Sequence, residues 1–304
     1  MIPVFNKRPH LERSLDSVRR QTWPAAEVIV VEDGSTDGSR EYLEGPGRDL
    51  LDFRLLHRSV PGPGGYAARN LGIQEANGEW IAFLDADDSW RDDHLAGLAE
   101  LMAQAGPATA VVFSSYEIVG GGKVRHPPRL GAGSLRLDER AFLREWARGR
   151  LLLWTSALAA PRDRLLTAGL FPEGRCRRGG DKDLWFRLMR GAEALGSDRP
   201  TATYHVDSTN MVTRTVPYRD GSCVASTLLA CSSTHPDPDL VARIWALETS
   251  KYALPSLRAR DLRPFAQALR DSRGFARHRV LAGSQLLIQG FRQAAASLTA
   301  RLER

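Results

Sequence analysis

The chain of 304 residues lacks any long apolar run. Its longest apolar stretches, such as residues 28–31 and 151–154, are far shorter than the roughly 20 residues that a membrane-spanning helix needs. The first residues do not have the pattern of a signal peptide, because Lys7, Arg8 and Glu12 interrupt them early. We therefore expect a cytoplasmic location.

Cysteine is also scarce. Cys176, Cys223 and Cys231 form no Cys-x-x-Cys pair and no regular framework. Their spacing predicts neither a disulfide scaffold nor a structural zinc site. Buried or idle thiols are expected.

The chain has only a modest excess of positive charge, with a formal net charge of +6 and a pI near 9.5. This balance favours an acidic partner, which could be a nucleotide, an anionic membrane surface or a nucleic acid. The basic residues are spread along the chain without interleaved aromatic residues, so no nucleic-acid groove is predicted.

Strand and helix patterns alternate through the first half of the chain. Predicted strands cover residues 2–5, 28–31, 53–57, 80–84 and 109–119, and predicted helices cover 9–21, 71–76 and 92–104. Continuous apolar strands between helices predict an α/β fold with a mostly parallel, Rossmann-like sheet flanked by helices. Residues 138–148 and 183–189 look helical and 151–159 extended, while 241–254 and 280–302 predict a helical C-terminal appendage.

Three carboxylates follow one apolar strand, in the stretch FLDADDSW at residues 83–90. Crowding Asp85, Asp87 and Asp88 costs like-charge repulsion unless a cation or hydrogen-bond donors offset it. The carboxyl ends of parallel strands form the crevice in which open α/β sheets bind ligands. Oxygen ligands favour Mg or Mn with substrate phosphates as further ligands, although these residues could instead cap the helix beginning near Asp92.

Three further motifs lie at predicted element ends. In VEDGSTDGS, Asp33 follows a strand and could accept hydrogen bonds from a base or ribose, or the stretch could form an Asx turn and a helix cap. Arg69 follows the glycine-rich PGPGGYAARN, which is neither a P-loop nor a GxGxxG motif, and could pair with a diphosphate, with the acidic cluster or face solvent. Asp181 and Asp183, in GGDKDLWFRLM, could act as a general base or as a simple N-cap.

Four strings occur in one order, IPVFN, VIVVEDGSTDGS, AARNLGIQEANGEWIAFLDADD and GGDKDLWFRL. Together they resemble family 2 glycosyltransferases of the GT-A fold over residues 2 to about 210. The resemblance implies metal-dependent, inverting transfer of a sugar from a nucleotide-diphosphate sugar, with UDP expected, to an acceptor hydroxyl. It implies a GT-A catalytic domain at residues 1–216, with nucleotide-sugar binding in 1–119 and the acceptor and base half in 120–216, and leaves 217–304 as a helical extension.

The resemblance also implies roles for residues of the donor site. Asp33 would contact the nucleobase and Phe5 would pack near it, although core burial is an alternative for Phe5. Pro3 belongs to the same motif, and Arg69 would contact the diphosphate. Asp85 would lie near the ribose or the metal.

The metal and the base follow from the same resemblance. Asp87 is the expected ligand for Mn or Mg, and His205 lies where several members supply a third ligand, although a lone histidine can also be a surface or core residue. Asp181 aligns with the catalytic base, with Asp183 as the alternate, because Gly180 stands where a glutamate is usual.

Other functions stay open on sequence grounds. A nucleotidyltransferase would also use an α/β sheet and metal-bound phosphates, and a non-catalytic nucleotide-sugar binding module would agree with Gly180 and the basic pI. The expected acceptor is a glycan or a lipid-linked molecule in polysaccharide or glycoconjugate synthesis. Arg292 and Arg301 in the last amphipathic stretch would suit peripheral contact with the inner face of a membrane, and the same helices could form an oligomer interface. Met1 directly precedes the first strand, so we expect either a clipped strand or a late start.

Overall fold

A computed structural model describes residues 1–127, 134–208, 222–258 and 263–272. The first three strands are β1 (Ile2–Val4), β2 (Ile29–Asp33) and β3 (Arg54–Arg58), which pair in parallel in the order β1-β2-β3. All five residues of β2 are buried, as expected for a strand covered on both faces. Helices α1 (Leu11–Arg19), α2 (Ser39–Glu44) and α3 (Pro46–Leu50) connect them.

A larger mixed sheet follows. Its strands are β4 (Trp80–Ala82), β5 (Ser89–Trp90), β6 (Thr109–Gly120), β7 (Lys123–Arg125), β8 (Ser134–Asp138), β9 (Leu158–Pro161) and β10 (Glu193–His205). The main order is β4-β9-β6-β10-β5, with β7 beside β6 and β8 beside β10. The helices around it are α4 (Tyr66–Glu75), α5 (His94–Met102), α6 (Glu139–Ala147), α7 (Arg162–Thr167) and α8 (Gly180–Leu188).

Met1 joins the two sheets. Its amino group donates to the Ala82 carbonyl at 2.8 Å, and its own carbonyl accepts from the Leu84 amide at 3.1 Å. These bonds place β1 beside the chain that leaves β4. The ends of β1, β2 and β4 therefore lie along one edge.

The predicted α/β fold is confirmed, with differences in the second half. There β6 and β10 pair in parallel, whereas the β4–β9, β6–β9 and β5–β10 pairs are antiparallel. Strand β10 is absent from the sequence prediction, because Gly196 and Pro200 interrupt its apolar pattern. The extended stretch predicted at 151–159 is a strand only from Leu158 onward, after a short 3₁₀ turn at Thr155–Ala157.

The chain after residue 221 is helical where it is described, as predicted. It forms α9 (Cys223–Ala230), α10 (Pro238–Arg258) and α11 (Arg263–Asp271). Trp245 of α10 belongs to the same buried apolar cluster as Phe83 and Trp185, so these helices share one core with the preceding part of the chain. Residues 280–302, with Arg292 and Arg301, lie outside the described residues. Within the described part, no helix has the length and apolar character to cross a membrane.

The expectation of buried or idle thiols is wrong for two of the three cysteines. Cys176 and Cys223, 47 residues apart, form a disulfide, while Cys231 is a free thiol. The pairing was not visible in the sequence because the fold, rather than a short spacing, brings the two cysteines together. The bond ties the loop before α8 to the first turn of α9.

Candidate functional site

A cavity of about 1020 Å³ opens at the edge where β1, β2 and β4 end. Seven of the residues predicted for the site line it, namely Pro3, Phe5, Asp33, Arg69, Asp85, Asp87 and Asp181. The fold thus brings together carboxylates that are up to 148 positions apart between Asp33 and Asp181. His205 and Asp183 are not among the described residues of this lining.

The acidic cluster is a tight turn after β4, closed by a 2.9 Å bond from the Asp88 amide to the Asp85 carbonyl. Ser156 organises this turn, because its hydroxyl accepts from the Asp85 amide at 3.0 Å and donates to the Asp88 carboxylate at 2.7 Å. The His205 amide donates to the other Asp88 oxygen at 3.2 Å. Burial, followed by the charges of Asp87 and Asp85, raises the pKa of Asp88 well above its usual value. All three carboxyls lie at the cavity, but Asp88 is almost fully buried and has a structural role in this turn.

Asp87 is paired with a lysine that the site prediction did not include. The Lys7 ammonium lies 2.6 Å from one Asp87 oxygen and 2.8 Å from the Ser208 hydroxyl. Burial opposes ionisation of Asp87, but Lys7 outweighs it and lowers the pKa of this carboxyl. Lys7 lies three residues after the end of β1, on the side of the sheet where the crevice forms. The position of this charged residue could have indicated that it belongs to the site.

The expected metal ligands have other partners in this structure. His205 lies at the end of β10, where its Nε2 is 2.9 Å from the Ser89 hydroxyl. Asp85 is paired with Arg69, Asp87 with Lys7, and Asp88 is held by Ser156. Among the described residues, no three histidine, cysteine, aspartate or glutamate side chains form a group that could hold a metal ion.

The expected nucleobase end of the cavity is formed by β1 and β2. Asp33 is almost fully buried; one of its oxygens contacts the Arg58 guanidinium, and the other accepts from the Gly62 amide at 3.1 Å. Burial raises the pKa of Asp33, against the lowering effects of Gly62 and Arg58. Phe5 is 40% exposed beside the cavity, so the alternative of core burial does not hold for this ring.

Arg69 faces the cavity from α4 and does not point to bulk solvent. It lies 2.5 Å from Asp85, donates to the Gly64 carbonyl at 2.8 Å and stacks 5.4 Å from the centre of the Phe171 ring. Burial disfavours its charge, but Asp85 outweighs this and raises the pKa of Arg69. The guanidinium is thus a fixed positive charge on the cavity wall.

The two candidate bases on α8 have different surroundings. Asp181 lines the cavity from the first turn of the helix. Asp183 is fully buried, with one oxygen 2.8 Å from Arg187 and the other accepting from Thr227. Its engagement inside the fold argues against the alternate assignment of the base to Asp183.

Tyr66 explains the glycine that precedes Asp181. A Cβ atom on Gly180 would lie 2.5 Å from the Tyr66 ring and 2.9 Å from Pro172. The Tyr66 hydroxyl accepts from the Gly180 amide at 2.9 Å. The tyrosine ring fills the space that a glutamate side chain at position 180 would require.

Aromatic side chains form another wall of the cavity. Trp154 lies 4.5 Å from Tyr116 and 5.5 Å from Tyr204, measured between ring centres. All three line the cavity. Aromatic faces suit the apolar faces of sugar rings.

Basic residues complete the side of the cavity near α8. Arg177, Arg178, Lys182 and Lys251 line it. Buried Glu248 of α10 holds two of them, at 2.7 Å from Lys182 and 2.8 Å from Lys251. This contact connects α10 to the helix that carries Asp181, and sequence spacing alone could not have found it.

Comparisons with known proteins point to one family. The family model described as "Glycosyl transferase family 2" matches residues 1–158. The chain is similar to the putative glycosyltransferase EpsH of Bacillus subtilis, at 34% identity over 38% of this chain and 32% of that protein. It is also similar to the putative teichuronic acid biosynthesis glycosyltransferase TuaG of Bacillus subtilis, at 34% identity over 38% of this chain and 45% of that protein. These matches span less than half the length of either relative.

A solved structure supports the fold over nearly the whole chain. The crystal structure of S. aureus TarS 1-349 in complex with UDP-GlcNAc matches with a TM-score of 0.72 and 16% identity, covering 96% of this chain and 90% of that one. The fold is therefore GT-A. Since the family model covers more than half of the sequence, the chain belongs to glycosyl transferase family 2.

Proposed function

We propose that the chain transfers a sugar from a nucleotide-diphosphate sugar to an acceptor hydroxyl, with inversion at the anomeric carbon. The observation that carries this proposal is the shared cavity, in which Asp181 faces the same space as Arg69, Asp85 and Phe5. A UDP-linked donor is supported by the fold match to a protein whose structure contains UDP-GlcNAc. The named relative in teichuronic acid biosynthesis supports a role in polysaccharide synthesis.

The donor would lie along the β1–β2 end of the cavity. Phe5 would stack on the base, and Asp33 would accept a hydrogen bond from it through an oxygen that retains a second lone pair. Pro3 would pack nearby. Asp85 would accept from the ribose or sugar hydroxyls, while Arg69 would contact the diphosphate.

The proposed reaction is a single displacement. Asp181 takes the proton of the acceptor hydroxyl as its oxygen bonds to the anomeric carbon. The bond from that carbon to the diphosphate oxygen breaks, and its electron pair stays on the departing nucleotide diphosphate. The fixed charge of Arg69 stabilises that oxygen. Trp154 and Tyr116 would hold the acceptor, a glycan or a lipid-linked molecule.

Enzymes of this family commonly use a divalent cation, and the sequence predicted Mn or Mg on Asp87 and His205. The residues present do not fit that site, because Asp87 already has an ammonium partner and His205 contacts Ser89. The proposed steps therefore involve no metal.

The test is a nucleotide-release assay with UDP-, GDP-, dTDP- and CDP-sugars. Asp181→Asn should lower turnover by roughly 10² to 10⁴ fold with nucleotide affinity intact. Asp163→Asn, at the start of α7 and away from the cavity lining, is the matched control and should behave as wild type. Unchanged turnover in Asp181→Asn would remove this residue from the role.

The same assay separates the other candidate functions. Pyrophosphate release from a nucleoside triphosphate would indicate a nucleotidyltransferase. Donor binding without hydrolysis or transfer to any acceptor would indicate a binding module.

A further inference from the structure

We propose that Lys7 takes the position that a divalent cation holds beside the diphosphate, so that this chain binds its donor without a metal. The inference rests on the proposed function and concerns the same cavity. It starts from the pair of Lys7 and Asp87, whose side chains are only 15% and 13% exposed and lie 2.6 Å apart. An ion pair that is largely buried in this way is less screened by solvent than the exposed ion pairs of a protein surface.

The backbone holds Lys7 in this place. The Lys7 amide donates to the Ser39 hydroxyl at 3.0 Å, and the preceding Asn6 has a left-handed φ of 52°. The Asn6 amide donates to the Ser35 hydroxyl at 3.0 Å, and its side chain accepts from the Thr36 amide at 2.8 Å. The turn after β1 is thus fastened to the loop after β2, and it directs the lysine towards the acidic turn.

The charges of the acidic turn are already offset. Lys7 faces Asp87, Arg69 faces Asp85, and Asp88 is a buried carboxyl that accepts from Ser156. The repulsion between these carboxylates, which would otherwise require a cation, is offset by Lys7 and Arg69. A Mg²⁺ ion on Asp87 would need an oxygen about 2.0–2.1 Å away, at a carboxylate where the ammonium already sits, and it would repel that ammonium.

Lys7 can reach a ligand from this position. An ammonium has three N–H donors, and the contacts to Asp87 and Ser208 use two of them. Lys7 lines the cavity, so the third donor is available to a phosphate oxygen there. Lysine is a compact positive charge that binds phosphate as a point charge.

The remaining charges of the cavity also suit a diphosphate. Six cationic side chains line it, namely Lys7, Arg69, Arg177, Arg178, Lys182 and Lys251. Five carboxyls line it as well, namely Asp33, Asp85, Asp87, Asp88 and Asp181. Two partners of these residues lie outside the lining, since Arg58 is paired with Asp33 and Glu248 is paired with Lys182 and Lys251. Counted with Arg58 and Glu248, there are seven cationic side chains and six carboxyls, so the cavity has a small positive excess without a bound metal.

The test is calorimetric titration of UDP, followed by GDP, dTDP and CDP, in EDTA and in MnCl₂. For the wild-type chain we expect Kd values that agree within about twofold in the two conditions. Lys7→Met should bind roughly tenfold to hundredfold more weakly in EDTA, as for loss of a hydrogen bond from a charged group. Mn should restore much of that loss, because Asp87 then lacks its cation.

Two further variants sharpen the result. Lys7→Arg keeps the charge and should retain most of the affinity in EDTA. Lys123→Met, in the exposed strand β7, is the matched control and should match wild type in both conditions.

The outcomes separate this inference from the proposed function. Binding by wild type that requires Mn would overturn the role of Lys7 and leave the proposed function standing, and this comparison needs no variant to fold. Binding in EDTA that Lys7→Met does not weaken would also overturn it. Failure of all four nucleotides to bind in either condition would refute the proposed function, and the inference with it.

Discussion

The buried carboxylate of Glu248 connects the C-terminal helices to the helix that carries Asp181. It is fully buried and contacts Lys182 at 2.7 Å, Lys251 at 2.8 Å and the Trp146 indole at 2.9 Å. Glu248→Gln keeps the shape of the side chain and an oxygen for Trp146, and it removes only the charge. We expect this variant to be less stable at neutral pH.

The size of the loss follows from the pKa of Glu248. Burial alone would raise this pKa, but Lys182 and Lys251 lower it from 4.5 to about 2. A shift of this size corresponds to about 3 kcal/mol of stability. Burial lowers the pKa of Lys251, and this cost offsets part of the stabilisation by Glu248. The value of about 3 kcal/mol is therefore an upper limit on that stabilisation.

The pH dependence has a defined sign. A carboxylate with a lowered folded-state pKa stabilises the fold above its unfolded pKa of 4.5, and this stabilisation is lost as the pH falls towards 2. Urea unfolding of Glu248→Gln and wild type, at pH 7 and in steps below pH 5, should show a difference that shrinks with acidity. Glu44→Gln, which removes the exposed partner of Arg40, is the control and should cost less than about 0.5 kcal/mol. A Glu248→Gln loss equally small at pH 7, or one that does not change with pH, would refute the reasoning.

Two other predictions concern the surroundings of Asp181. Gly180→Ala places a Cβ atom 2.5 Å from the rigid Tyr66 ring. The free energy of unfolding, measured by thermal unfolding, should therefore fall by about 1–3 kcal/mol, and turnover should fall as well. A variant as stable as wild type would contradict the close packing. Cys176→Ser removes the bond that closes a loop of 47 residues and should cost up to about 4 kcal/mol in urea unfolding. Dithiothreitol should lower the stability of wild type to that of this variant and leave the stability of the variant unchanged. A wild-type stability that does not respond to the reductant would argue against the disulfide.

The sequence predicted most of the parallel half of the fold. The apolar residues 29–31 are buried within β2, and an apolar run of this kind is a strong local signal for a strand. The second half was harder to predict, because Gly196 and Pro200 interrupt the apolar pattern of β10. This strand is positioned by its pairing with β6 and β8. Such pairing depends on tertiary contacts that no local pattern encodes.

The site was predictable only in part, for a similar reason. Motifs at strand ends located Asp33, Asp85 and Asp87 at one crevice, and the structure brings them together. Which partner each carboxylate has depends on side chains far away in sequence, such as Lys7 for Asp87, 80 positions apart. The sequence therefore could not show that Asp87, the expected metal ligand, has an ammonium partner.

The catalytic assignments of Asp181 and of the donor residues remain predictions. The central claim is that the donor lies in this cavity with its anomeric carbon facing Asp181. The most direct measurement is a crystal structure of the chain with UDP and, separately, with the sugar nucleotide that it hydrolyses. We predict the base beside Phe5 and Asp33, the diphosphate within hydrogen-bond distance of Arg69, and the sugar facing Asp181. A nucleotide bound outside this cavity, or a sugar directed away from Asp181, would contradict the account.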